Sequence, residues 1–215
     1  MTTPPPTNPP VTLRLPSKYS PKDAAAATTT TTTPFQSPPL SFLQRTWTVT
    51  HSTLRMWRTA RNVRITYGPL PASKEGRARV SDLVEYESLS GSGSLKRVTG
   101  VDTASHGEGT SAWDWRGSGL LFFVGSHWEV MGWGEREIPG AGGEVERWVV
   151  TWFAPTVFTA EGLDVYSDRR EGGSEGLVAD VMAELGRVAE GKGKLGELVG
   201  KDMRGVAVSL PWKER

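Results

Sequence analysis

The stretch from Trp113 to Trp133, WDWRGSGLLFFVGSHWEVMGW, restricts the fold more than any other part of this chain. It sets Trp113, Trp115, Trp128 and Trp133 among two Phe, one His and two acids, in period-two patterning broken by Gly. Aromatic and β-branched side chains suit a pleated, half-buried surface, so the stretch predicts two or three adjacent strands and not a helix. Trp also combines a large apolar body with one N–H donor, which fits the wall of a small-molecule pocket. An aromatic-lined β-barrel is the expectation that follows.

At 215 residues the chain has room for one ordinary domain with a tail, and for a sizeable core. A net charge of +1 creates no general field for nucleic acid or an anionic membrane, so no nucleic-acid partner is expected. The absence of Cys excludes disulfides, thiolate nucleophiles and thiolate metal sites, and fits a reducing, cytoplasmic compartment. No run approaches the roughly 20 apolar residues of a membrane span. The N-terminus lacks a basic stretch followed by an apolar one, which argues against a secretory signal. Its Ser/Thr content suggests a transit peptide, but its prolines oppose the amphipathic helix such a peptide needs. Oligomeric state is not legible.

Residues 1–38, a Pro cluster followed by AAAATTTTTTP, predict a disordered, polyproline-like tail that is dispensable for folding. Strands are predicted at 46–53, 63–69, 81–88, 95–102, 111–117, 119–125, 126–135, 144–155 and 156–167, with turn chemistry between them. Such close consecutive spacing favours an all-β, up-and-down antiparallel meander. Closing it into a barrel over 39–168 removes exposed edges and leaves room for one small ligand. Leu177, Val178, Val181, Met182, Leu185 and Val188 then recur with helical spacing, with Ser174 as N-cap and Gly191 as stop. The extension 169–215 is expected to pack outside the barrel.

The stretches WTVTHSTLRMWRTARNVRITY (47–67), WRGSGLLFFVGSHWEVMGWGE (115–135) and WVVTWFAPTVFTAEGLDVYS (148–167) resemble those of small fungal lipocalin-like proteins of the calycin superfamily. The lipocalin Gly-x-Trp triplet stands here as Arg45-Thr46-Trp47, with the Trp kept and the Gly replaced. The resemblance implies a calycin-type barrel with an internal apolar cavity. It also implies Trp47 at the barrel floor, and membership of a group in which related natural-product barrels include cyclases.

With Trp47 at the floor, alternation along the first strand turns His51 inward, where an imidazole could orient a ligand oxygen or move a proton. His127 and Glu129 share a face with Met131 and Trp133, and a His–carboxylate pair could act as base and orienter. The opposite face, Ser126, Trp128 and Val130, is an equally credible lining, and a slip of one residue reverses the assignment. The expectation adopted is His127 and Glu129 inward. Asp114 and Arg116 read as an outer ion pair, with Trp113 and Trp115 inside. Arg55, Arg58 and Arg61 either hold a ligand carboxylate at the mouth or form a solvated loop, with Arg61 against an aromatic ring. Tyr67 and Tyr86 complete the inward candidates.

The three His show no zinc spacing, so no metal and no cofactor are expected. One of His51, His106 or His127 could still hold a haem. The Gly-rich segments are turns, not phosphate loops, and no G-x-S-x-G elbow supports a hydrolase. The favoured function is binding of an apolar, polyketide- or terpenoid-like molecule within fungal natural-product metabolism. Its contacts would be Trp47, Arg61, Tyr67, Tyr86, Trp113, Trp115, Met131 and Trp133. The alternative is a cofactor-free cyclase or isomerase using His51, His127 and Glu129. Less favoured are a haem-binding barrel and an interaction protein whose Trp side chains fill a solid core.

Overall fold

Alternating apolar residues need a partner face, and here they find it by curling the sheet onto itself. The computed structural model describes residues 8–20 and 35–214. Eight strands form the barrel: β1 Thr46–Ser52, β2 Ala60–Leu70, β3 Arg79–Ser88, β4 Lys96–Ala104, β5 Ala112–Gly117, β6 Gly125–Glu137, β7 Val145–Phe153 and β8 Gly162–Ser167. Each pairs antiparallel with its neighbours in sequence, and β1 closes the circle by pairing with both β8 and β2. This is the all-β, up-and-down antiparallel barrel predicted from the patterning, and closure leaves no long edge exposed.

Two predicted strand segments are instead loops. β5 pairs directly with β6, Trp115 opposite Ser126 and Arg116 opposite Gly125, so residues 118–124 have no strand left to join. They form a hairpin connection with a 3-10 turn at Gly119–Leu121. The first half of 156–167 likewise connects β7 to β8. Both loops stand at the same end of the barrel as the β1–β2 and β3–β4 connections. That end is the mouth.

The other end is plugged. A single helical turn, α1 Leu40–Leu43, buries Phe42 and Leu43 against Trp47 and Val49. The fully buried Trp47 donates its indole N–H to the Leu43 carbonyl at 2.9 Å, so its one polar atom is satisfied inside the core.

A second apolar layer covers part of the barrel's outer face. The helix α2, Glu175–Ala189, begins at Ser174, whose hydroxyl accepts from the Leu177 N–H as an N-cap should. Its Leu177, Val181 and Leu185 pack on Met131, Trp148, Val150, Trp152, Leu163 and Val165, which point outward from β6, β7 and β8. The chain then turns through α3 (Lys194–Glu197) and pairs Arg204–Gly205 (β9) with β1. It returns across β2, where Asn62 in a left-handed conformation exchanges hydrogen bonds with Ser209. Among the described residues no helix is long and apolar enough to cross a membrane.

The expectation of a free tail over 1–38 needs correction for residues 8–20. Leu13 is buried in the outer layer, and the Arg14 N–H donates to the Met131 carbonyl at 2.8 Å. Gly132 makes the approach possible, because a Cβ there would stand 2.3 Å from the Leu13 side chain. Val11, Leu13 and Leu15 alternate with polar residues, a short strand-like pattern that the proline density obscured. Residues 1–7 and 21–34, which include the whole poly-Thr run, lie outside the described residues.

Candidate functional site

Behind the mouth lies a cavity of about 500 Å³, so the Trp residues do not fill the barrel solidly. Its floor is a stack of rings: Tyr67 on Trp128 at 5.7 Å between centroids, and Trp128 on Trp113 at 5.8 Å, each pair nearly parallel. Ile65, Val84 and Val98 stand opposite one another on β2, β3 and β4 and form one apolar wall. Phe153 and Tyr166 belong to the far wall. Around the mouth the two long loops expose Leu120 (93%), Phe122 (70%), Val157 (80%) and Phe158 (66%), a collar of apolar side chains that water does not favour.

The polar groups of the interior are acids and hydroxyls. Asp82 faces Tyr67 across β2–β3 and Gly100 across β3–β4. Because Gly100 has no side chain, the Trp115 indole folds over it, with Nε1 only 2.2 Å from where a Cβ would be. Burial pushes the Asp82 carboxyl up to about 7, and the Trp115 N–H, which has no well-formed partner of its own, eases that only in part. Asp102 is fully buried on the inward face of β4 and accepts from Trp128 Nε1 at 2.7 Å. Burial and then the neighbouring Asp82 charge raise its carboxyl well above the usual range. Asp164, on the inward face of β8 opposite Thr151, is raised by burial to about 7, eased by Ser52. Asp82 Oδ1, Asp102 Oδ2 and Asp164 Oδ1 are all buried without a hydrogen-bond partner. Tyr67 and Tyr166 are raised by burial first and remain neutral hydroxyls, with Tyr166 accepting from Thr151 at 3.3 Å.

Of the residues singled out from the sequence, Tyr67 and Trp115 line this cavity. Trp113 lies in the ring stack below it, and Tyr86 packs edge-on against Trp57, on the β1–β2 connection. Trp47 and Trp133 sit inside the barrel at the plugged end, where Trp133 packs on Phe42.

The remainder must be corrected. His127 and Glu129 face outward, because the β5–β6 register puts Ser126 and Trp128 on the inner face. Met131 follows them outward into the second layer by alternation, and a bulge between Val130 and Gly132 brings Trp133 back inside. A bulge between Val49 and His51 does the same in β1: Val49 faces the inward Tyr166, whereas His51 faces the outward Val165 and lies beneath Gly205. Each bulge inserts one residue and reverses the alternation beyond it. Arg61 also points away, bound to Glu87 at 3.0 Å. His106 lies in the β4–β5 connection, so no histidine is placed to hold a haem within the cavity. Asp114 is indeed external, but its partner is His127 at 2.9 Å and not Arg116.

Sequence reasoning passed over Asp82, Asp102 and Asp164, and gave Trp128 only as the alternative. A signal existed for two of the acids: Asp82 alternates in phase with Val80 and Val84, and Asp102 with Val98 and Ala104. An acid on the apolar phase of a strand marks either an error of phase or a site.

No family model matches the sequence, and no curated protein matches it. Among solved structures, lobster apocrustacyanin A1 is similar at a TM-score of 0.49 with 8% identity, over 80% of this chain and 81% of that one. Apocrustacyanin C1 is similar at a TM-score of 0.48 with 10% identity, over 81% of this chain and 82% of that one. The fold assignment rests on the strand order and closure described above.

Proposed function

We propose that this chain binds a small, largely apolar molecule inside the barrel. The observation that carries this reading is the aromatic-walled cavity of about 500 Å³, a size suited to one small molecule and reached through an apolar collar. The resemblance to fungal lipocalin-like proteins suggests a polyketide- or terpenoid-like ligand of natural-product metabolism, and the Cys-free composition suits a cytoplasmic setting. The test is fluorescence of the neutral dye N-phenyl-1-naphthylamine with the full chain. Saturable enhancement is expected, weakened at least tenfold by Val98→Trp, which places a large side chain in the cavity. Enhancement that survives Val98→Trp undiminished would sink the reading.

A second reading, a cofactor-free cyclase or isomerase, is favoured by one observation: a carboxyl near neutrality set among tyrosine hydroxyls in a largely apolar space. The catalytic acid would be Asp82, since His51, His127 and Glu129 do not face the cavity. A substrate returned at unchanged mass but with new retention time, and no longer so with Asp82→Asn, is its expected signature.

A further inference from the structure

We propose that the ligand carries a protonated amine, paired with Asp82 and backed by Asp102, with its organic body held among Trp115, Trp128 and Tyr67. This inference rests on the cavity being the binding site, and adds the chemistry of the ligand's polar end.

The cavity has an imbalance of charge and of hydrogen-bonding groups. Two carboxyls stand diagonally on adjacent strands, since Asp102 faces Val80 while Asp82 faces Gly100. The groups facing them are Tyr67 from β2, Trp115 from β5, Trp128 from β6 and Tyr166 from β8, while the charge of Asp114 acts on Asp102 from the outer face of β5. No Lys, Arg or His belongs to the lining. The two indole N–H groups are the donors offered to these acids, and both favour the ionised form. Even so, one oxygen of each carboxyl lacks a donor. Such buried acceptors carry a penalty until something donates to them.

An ammonium supplies what is missing: a positive charge and three N–H donors. The surrounding rings suit it too, because aromatic faces attract cations most strongly where water is excluded. A neutral ligand with carbonyl or ether oxygens would accept from the Trp115 N–H, but it would need the acids protonated and would leave their negative potential unused. A metal ion is the other cationic occupant, but among the described residues no cluster of three or more His, Asp or Glu could hold one.

The two ligand chemistries depend on pH in opposite directions. An alkylamine stays protonated through pH 8, having an ordinary pKa of about 10 like Lys. Raising the pH through neutrality ionises Asp82 and should therefore strengthen amine binding. A neutral acceptor ligand would lose its donors over the same range.

The experiment displaces N-phenyl-1-naphthylamine from the full chain with amine and alcohol isosteres, tryptamine against tryptophol and phenethylamine against phenethyl alcohol. Amines are expected to displace the dye at least tenfold better at pH 8, with the preference shrinking toward pH 6. Asp82→Asn should bring the ratio close to one. Equal displacement by alcohols, no displacement by either, or an amine preference that ignores both pH and Asp82→Asn would overturn the proposal. The pH series on the unaltered protein decides the matter even where the variant folds poorly. Failure of the dye itself to bind would count against the cavity reading and not merely against the amine.

Discussion

Buried carboxyls occur on both surfaces of this barrel, and they behave oppositely. On the outer face, Glu87, Glu129, Glu146 and Glu161 are each almost fully buried, and each is sealed by a segment that arrives carrying donors. Glu161 receives Lys18, Tyr19, Trp152 and Lys194, and these outweigh its burial to lower the carboxyl to about 2. For Glu87, burial is overcome by the Lys213 N–H, Asn62 and Arg61. Glu129 is lowered against its burial by His127 and Ser17, with Arg14 at 3.1 Å. Glu146 accepts both the N–H and the hydroxyl of Ser174 at the start of α2. Inside, Asp82, Asp102 and Asp164 have fewer donors and are raised. Burial alone therefore does not tell a structural acid from a functional one; the donors do.

The contrast breaks first if the sealing segments are dispensable. A chain beginning at Phe35 loses the Leu13 contact, worth roughly 1.5–3 kcal/mol, and uncovers Glu129 and Glu161. Its thermal midpoint should fall by about 5 °C or more, since a domain of this size shifts roughly 2–4 °C per kcal/mol. An unchanged midpoint would return residues 8–20 to the status of a free tail.

Next in size is the same conservative change made on each surface. Glu161→Gln leaves Lys18 and Lys194 without their carboxylate and should cost roughly 1–3 kcal/mol in urea denaturation. Asp164→Asn at pH 8 should cost nothing or stabilise, because it removes a charge that the interior opposes. A matching loss at both positions would erase the distinction drawn between them.

The pH dependence of stability carries both signs. For Asp82 and Asp164 the folded protein holds its proton up to about 7, while the unfolded chain releases it near the ordinary Asp value of 3.8. The unfolded state thus binds fewer protons between those limits, and stability falls as pH rises through them. The ceiling is about 4 kcal/mol per group, reduced wherever water enters the cavity. Glu161 works the other way: its contribution is present above its ordinary value of 4.5 and is lost as pH falls toward 2. Stability should peak in mild acid, and Asp164→Asn should flatten the decline toward neutrality.

Much of this was legible from residues alone, and the failures have a common cause. The period-two stretches gave seven of the eight barrel strands near their observed bounds, and the helical repeat with Ser174 gave α2. Patterning does not separate β8 from the loop before it, and it reads the loop 118–124 as a strand because an apolar loop at a barrel mouth has the composition of one. Facing failed where a bulge intervened. Trp47 and Val49 face inward as alternation predicts, but one extra residue at Thr50 turns His51 out, and no local signal announces that insertion. The inner acids were legible in phase, yet an Asp between hydrophobic residues reads first as the solvent side of a strand.

That failure of phase supplies the smallest expected effect. His51 and His127 lie outside the barrel wall, His51 lowered by burial beside β9 and His127 raised chiefly by the Glu129 carboxylate 3.6 Å away, then by Asp114. Neither can touch a ligand in the cavity without the sheet opening. His51→Ala and His127→Ala should therefore leave dye affinity and the amine-to-alcohol ratio unchanged. His127→Ala should cost less than about 1 kcal/mol, because its contact with Asp114 is half-exposed and worth what surface ion pairs are worth. That small cost should itself depend on pH: the contribution of a raised histidine is complete below 6.5 and fades as pH rises through its folded value. A loss of ligand binding in either variant, with the fold intact, would mean that the bulges do not turn these strands as described, and that the inner and outer carboxyls must be reassigned with them.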